Sequence, residues 1–370
     1  MDKTIHQKLY GLDHLRALAI ILVFFFHYFI VSDGQPEWLP AVASFGWTGV
    51  DLFFVLSGFL IASQLFEQLK NEQQISLKHF FIKRFFRIIP AFLATVAIYF
   101  YFPFFREKEA LPPVWKFLTF TQNFGLNIKD YGTFSHCWSL CVEEHFYLFL
   151  PLILIGLQKL NQFSKSFWLL LFFFIVGFVM RFYSFNYLYL PKLDDAYSWL
   201  YWYKYLYYPT YNRLDGLLVG VCIAGLYQFS PNLWSTISKY GNLLFVIGVT
   251  IMTCAYFLCE DLQTFNASIF GFPVVAIGFG GIVLSAISPT SFLYQWNSKF
   301  TTLTATLSYA IYLTHKGVIH TTHYILKNSK IDSNIMLLIS LLTCFGFAYV
   351  FHLIIEKPFM KLRNQLIEPK

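Results

Sequence analysis

Runs of about 20 apolar residues, the length that crosses the hydrocarbon of a bilayer, recur along this chain and restrict its fold more than any other feature. A backbone in lipid has no water to bond, so each run must satisfy its own N–H and C=O groups, which a helix does within a single segment. Ten such runs lie near 12–31, 46–66, 86–105, 143–160, 166–183, 211–229, 241–259, 267–288, 301–321 and 334–355. Of 370 residues, 57% are hydrophobic and 13% charged, against about a quarter charged in soluble domains. The expected fold is therefore all-α: a polytopic membrane protein with about ten transmembrane helices, forming one membrane domain over 1–370 with no soluble domain.

Ten crossings put both termini on one side. Placing them in the cytoplasm assigns 16 of the 27 Lys and Arg to that side, with the densest clusters between Lys70 and Arg87 and in the tail, the short flanks on which positive-inside bias is judged. Lys3 and Lys8 precede an apolar stretch without a small-residue cleavage site, so an uncleaved first helix is expected rather than a signal peptide. The net charge of +7 is spread over loops and fits contact with anionic lipid, not nucleic acid. Six cysteines without a CxxC pair mostly fall inside apolar runs, which argues against a metal site or a disulfide framework. The connection 106–142 is long enough for a structured lid or re-entrant element.

The first segment, LDHLRALAIILVFFFHYFI, carries Arg16 and His27. Eleven residues are about three turns, so both project from nearly one face, about 16 Å apart along the axis. Ionisable groups at such depth face a bundle interior or a watery cavity. Snorkelling would explain Arg16 alone, and a hydrogen bond inside the core would explain His27 alone.

Further polar groups interrupt other runs. Asp51 in the second segment should pair or line a cavity, while Ser57 and the nearby glycines allow close helix approach. Arg84 and Arg87 share a helix face before Pro90 and, with Lys83, are either positive-inside anchors or an anion site. Glu143 and Glu144 stand where a helix is expected to begin, near His136, Trp138 and His145. Arg213 and Asp215 read most simply as an ion pair or interface anchor. Tyr312 and His315 are three apart on one face, and His352 and Glu356 four apart. Ionisable groups on so many helices point to a shared polar cavity.

Seven stretches in order, Arg16-x10-His27, GVDLFFVLSGFLI at 49–61, Arg84-x-x-Arg87 with Pro90, WSLCVEEHFYLFLP at 138–151, RLDGLLVG at 213–220, YLTH at 312–315 and EKP at 356–358, resemble the integral-membrane acyltransferase family 3, whose members O-acylate surface saccharides and other exported molecules. The resemblance covers nearly the whole chain. It implies a ten-helix enzyme of the bacterial inner membrane that draws acetyl groups from cytoplasmic acetyl-CoA, and functional roles for Arg16, His27, Ser57, Gly58, Phe59, Arg84, Arg87 and one of the two acids, with Glu143 favoured over Glu144. Some members carry a further SGNH-type hydrolase domain; with the sequence ending at Lys370, none is expected here.

Transfer of an acetyl group to a sugar hydroxyl needs a base, an oxyanion donor and a held thioester. His27 is the expected base, because an imidazole accepts and returns a proton near neutral pH; an acyl-imidazole at His27 is a variant. Glu143 would orient the imidazole or act on the acceptor. Arg16, Lys83, Arg84 and Arg87 would hold the CoA phosphates at a basic cytoplasmic mouth, with Ser57, Gly58 and Phe59 also on the donor side. Asp51, Trp138, Glu144, Arg213, Tyr312 and His315 would line the substrate cavity. The expected partners are the bilayer, acyl-CoA and an exported, lipid-linked saccharide such as lipopolysaccharide O-antigen or exopolysaccharide, with no metal and no nucleic acid. The rival is an exporter or flippase, whose signature, inverted repeats with broken helices at the midplane, is not visible.

Overall fold

The computed structural model describes residues 9–32, 34–71, 73–108, 110–160, 162 and 165–367; Lys3, Lys8 and Lys370 lie outside them. Ten helices of 15 residues or more follow one another among the described residues: α1 (Tyr10–Val31), α2 (Thr48–Lys70), α3 (Leu77–Tyr101), α4 (Trp138–Lys159), α5 (Ser166–Tyr183), α6 (Asp215–Phe229), α7 (Gly241–Leu258), α8 (Phe272–Ala286), α9 (Lys299–Leu326) and α10 (Ser333–Phe351). A shorter amphipathic helix, α11 (Lys357–Ile367), packs back on α3. The chain is an all-α integral membrane protein, and seven helical stretches are long and apolar enough to cross a bilayer on those grounds alone. The other three of the ten are α6, which has only 15 residues, and α3 and α9, which carry Arg84, Arg87, His315 and Lys316. Polarity that weakens α3 and α9 as apolar spans is the polarity that builds the site.

Two helices start earlier than the apolar runs suggest. The Ser76 side chain accepts the His79 backbone N–H, a cap that starts α3 at Leu77 and brings Lys83, Arg84 and Arg87 onto a helix. A 3₁₀ turn, Ser135–Cys137, leads directly into α4 at Trp138. Glu143 and Glu144 thus sit inside the helix and not at its N-terminus. At α10 the cap is Asp332, whose carboxyl accepts the N–H groups of Asn334 and Ile335 and is held below the usual carboxylate range by them.

The middle of the bundle is made by α1, α2, α6, α8 and α9, while α5, α7 and α10 expose most of their apolar surface, as lipid contact requires. Packing of α2 on α6 is close because Gly58 faces the Leu217 carbonyl and Gly220 faces the Val55 carbonyl, where a Cβ would collide with backbone. Both contacts follow the small-residue logic of helix association in lipid. The connection between α3 and α4 folds as a cap over the end of the bundle distal to Tyr10. Arg106 donates to the Tyr99 and Phe100 carbonyls, and Asn123 donates to the Tyr208 carbonyl and to Thr210 Oγ1.

Candidate active site

Two cavities lie back to back in the bundle. The proximal one, about 140 Å³, opens toward the end where α1 begins. It is lined by Arg16 of α1, Ser57 of α2, Arg84 and Arg87 of α3, Glu143 and Tyr147 of α4, and Tyr309 and Tyr312 of α9. Ser57 Oγ donates to Glu143 Oε1 at 2.7 Å, so the one carboxylate in the lining is engaged by a neutral hydroxyl. Arg84 donates to Gln64 Oε1 at 3.0 Å while its buried Nε has no partner. Among the described residues Arg87 donates only to the Met360 sulfur, at 3.3 Å. Arg16 makes no hydrogen bond or ion pair among the described residues. Among the described residues none of the three guanidiniums is in ion-pair contact with a carboxylate, so the lining has the charge and geometry that suit an anion.

The distal cavity is larger, about 490 Å³, and lies under the cap. Its floor carries His27 and His136, and its wall is aromatic, with Trp138, Trp199, Tyr203, Tyr207 and Tyr208. Lys108, Lys129 and Lys316 also face it. Lys316 is held by Glu107 Oε1 at 2.8 Å and donates to Ser135 Oγ at 3.2 Å, which ties α9 to the cap. Beneath this floor the contact of α1 with α9 sets His27 Nδ1 3.0 Å from His315 Nε2. The His136 ring lies 5.6 Å from that of His27 and 4.9 Å from that of His315, centroid to centroid.

Val50 lines both cavities, so the partition between them is about one side chain thick. Tyr312 completes it. The Tyr312 hydroxyl donates to the His136 carbonyl and meets Ser139 Oγ. Glu143 follows Ser139 by one turn on α4, which sets it about 6 Å deeper toward the proximal end.

The structure divides the sequence candidates. Arg16, Ser57, Arg84, Arg87, Glu143 and Tyr312 gather on the proximal cavity; His27 and Trp138 face the distal one. Glu143 does not reach His27: the partners of its Nδ1 are His315 and the Val23 carbonyl, because Glu143 lies below the partition. Gly58 and Phe59 are packing residues, Gly58 against α6 and Phe59 against Tyr227, and line neither cavity. Lys83, one residue and about 100° round the helix from Arg84, points into a separate cleft beside Glu67, Gln68 and His79. Glu144 lines neither cavity, and its Oε1 is buried without a hydrogen bond. His352 pairs with Glu356 in the π-turn joining α10 to α11, away from both cavities.

Asp51 and Arg213 are also removed from the cavity lining. They form a buried ion pair at 2.9 Å, with the guanidinium enclosed by the rings of Phe272, Tyr207 and Trp138. Asp215 does not pair with Arg213 but with Arg181, at 2.6 Å. Breaking a buried pair strands a charge at a cost of about 3–5 kcal/mol, whereas replacing both partners is far milder. Asp51→Ala and Arg213→Ala are therefore expected to lower the yield and melting temperature of purified protein sharply, and Asp51→Asn combined with Arg213→Met to restore most of both, as read by fluorescence-detected size exclusion.

Sequence reasoning passed over Lys316, Ser139, Tyr309 and the lysines of the cap. A signal existed for Lys316, an ionisable residue in the middle of an apolar run. Among the described residues no group of three or more His, Cys, Asp or Glu is placed to hold a metal ion.

An acyltransferase domain family matches residues 9–354. The chain is 29% identical over 339 residues to the peptidoglycan O-acetyltransferase OatA of Listeria monocytogenes (strain ATCC BAA-679 / EGD-e), covering 86% of this chain and 50% of that protein. It is 26% identical over 369 residues to the O-acetyltransferase OatA of Staphylococcus aureus (strain NCTC 8325 / PS 47), covering 95% of this chain and 57% of that protein. The chain thus spans little more than half the length of these relatives. No solved structure matches it.

Proposed function

This chain belongs to the acyltransferase domain family, and from that membership we propose that it is a membrane O-acetyltransferase that moves an acetyl group from cytoplasmic acetyl-CoA to a hydroxyl of an exported saccharide. The observation that carries the reading is the division of labour along α1. Arg16, a cation with no hydrogen bond or ion pair among the described residues, borders the proximal cavity, and His27 borders the distal cavity on the same helix. The proximal end is the cytoplasmic one, where Lys70 at the end of α2, Lys78 and Lys83 in the first turns of α3, and Lys357, Lys361 and Arg363 of α11 cluster.

Residues and donor fit chemically. A cavity of about 140 Å³ takes the acyl end of a thioester and not a nucleotide, so the phosphates stay at the mouth with Arg84 and Arg87 while Arg16 meets the chain below them. The distal cavity offers flat aromatic faces with polar edges, suited to sugar rings, and a base at its floor. His27 Nε2 takes the acceptor hydroxyl proton as the oxygen attacks the thioester carbonyl. The C–O bond forms, the C–S bond breaks, and the thiolate recovers the proton from the imidazolium. Ser139 and Tyr312 stand at the partition beside the thioester carbonyl, with their own hydroxyl protons engaged in the chain that runs from Ser139 through Tyr312 to the His136 carbonyl. CoA never has to cross the hydrocarbon.

The acceptor is a surface glycan: the name of the Listeria monocytogenes relative points to peptidoglycan, and lipopolysaccharide O-antigen and exopolysaccharide share the hydroxyl chemistry. The test is to express the chain, extract the surface glycan fractions and score base-labile O-acetyl groups by NMR against cells lacking it. New O-acetyl groups on one fraction support the reading and identify the acceptor; no change in any fraction contradicts it.

A further inference from the structure

The imidazole of His27 works as a base only if its lone pair faces the distal cavity, and the structure contains a device that fixes this. His315 Nδ1 lies 2.9 Å from the Ile311 carbonyl and 2.8 Å from the Tyr312 carbonyl. Carbonyl oxygens only accept, so Nδ1 of His315 must carry a hydrogen. In a neutral ring that leaves Nε2 of His315 as a bare acceptor. A second proton there would make a fully buried cation one residue from Lys316 and 3.0 Å from another imidazole, with no carboxylate bonded to either ring among the described residues. The neutral form is the one the surroundings support.

The consequence passes to the next ring. His27 Nδ1 has two neighbours, His315 Nε2 at 3.0 Å and the Val23 carbonyl at 3.1 Å. Both are acceptors, so Nδ1 of His27 must be the donor, and its proton is shared between them. The hydrogen of neutral His27 is then spoken for at Nδ1, and Nε2, which makes no hydrogen bond to the protein among the described residues, is left as the lone pair of a residue lining the distal cavity.

We propose that His315 is a positioning residue that locks His27 in the Nδ1–H tautomer and so aims the basic Nε2 at the acceptor. The proposal rests on the reading of His27 as the base. It assigns to a second imidazole the orienting task that a carboxylate performs in Ser-His-Asp sites, and it explains why Glu143 is not needed beside His27. The hydrogen-bond chain runs Ile311 and Tyr312 carbonyls, His315, His27, acceptor hydroxyl, and the first links are backbone of α9. The orientation of the base is therefore tied to the packing of α1 on α9.

The experiment uses the full chain, labelled with ¹⁵N-histidine and reconstituted in lipid nanodiscs, with His27 resonances assigned by their loss in His27→Ala. The ¹⁵N shifts report which ring nitrogen is protonated. The expected wild-type spectrum has His27 protonated at Nδ1 and bare at Nε2. In His315→Ala the two tautomers mix, and kcat for acetyl transfer from acetyl-CoA falls about 100-fold or more with the donor KM nearly unchanged. In His315→Gln the side-chain carbonyl again accepts from His27 Nδ1–H, restoring the tautomer and at least tenfold of the lost rate. Wild-type His27 protonated at Nε2 would overturn the proposal, as would a His315→Ala protein that keeps both the Nδ1–H signal and the rate. If His315→Ala fails to fold, the wild-type and glutamine spectra still decide. Were His27→Ala to retain transfer, the base reading would fall, and the spectrum would still report on the tautomer.

Discussion

A His27→Ala protein is expected to reach the membrane, fold and bind acetyl-CoA, and to transfer acetyl groups at least about 10²- to 10⁴-fold more slowly, the range that loss of a general base produces. Folding should survive because His27 is only partly buried and lies on a cavity wall. The cost is the hydrogen bond to His315, whose Nε2 loses its donor, a penalty of about 1–3 kcal/mol. Donor binding should survive because the cations proposed to hold the donor border the other cavity. The signature is thus a fall in kcat with an unchanged Kd for acetyl-CoA, read by turnover in nanodiscs and by calorimetry. Loss of donor affinity together with rate would place His27 in donor binding instead.

The second large effect is expected at Arg16, and it has two signs. Arg16 stands with Arg84 and Arg87 around one small cavity that holds a single carboxylate, already bonded to Ser57. Like charges in such a place repel, and none of the three is in an ion pair among the described residues, so Arg16→Met should raise the melting temperature of the donor-free protein, the trade between stability and function seen at built sites. The same change removes a charge-assisted contact of about 1.5–3 kcal/mol, which weakens acetyl-CoA by about 10- to 100-fold. Arg16→Lys should recover little, because an ammonium does not reproduce the planar fork. Thermal shift with and without acetyl-CoA reads both effects: the baseline rises and the donor-induced shift shrinks. A baseline that falls, with the donor shift intact, would make Arg16 a structural anchor.

The sequence made the membrane-embedded helical fold legible because apolar length is a local property, and it made Arg16 and His27 stand out because ionisable groups are costly in lipid wherever the other helices lie. The eleven-residue spacing also placed both on one face without tertiary knowledge. What it could not supply was partnership across the bundle. Arg213 sits two residues from Asp215, yet each pairs elsewhere, with Asp51 and Arg181, because the closeness of α2 to α6 and of α5 to α6 decides which charge meets which. Gly58 looked like part of a donor site and serves a helix contact, since the need for a missing Cβ is visible only once Leu217 is opposite. Lys83 and Arg84 look alike in sequence and point into different clefts. Glu143 and His27 were candidates for one catalytic group and are separated by a partition built from Val50, Ser139 and Tyr312; Val50 and Ser139 carry no signal by themselves, and Tyr312 was legible as a cavity residue but not as part of a wall. The partner of His27 came instead from α9, where His315 was legible as a polar residue but not as the one that touches it.

The central claim, a donor site and an acceptor site opening on opposite faces across a partition one side chain thick, is tested most directly by sidedness. Sealed membrane vesicles of the two orientations, prepared from cells expressing the chain, would be given acetyl-CoA labelled in the acetyl group from outside only. The account predicts that label enters base-labile ester on saccharide only in inside-out vesicles, where the added donor meets the Arg16 end, and that the labelled saccharide lies in the vesicle lumen while CoA stays outside. Equal labelling in right-side-out vesicles, or labelled acetyl-CoA recovered from the lumen, would contradict it.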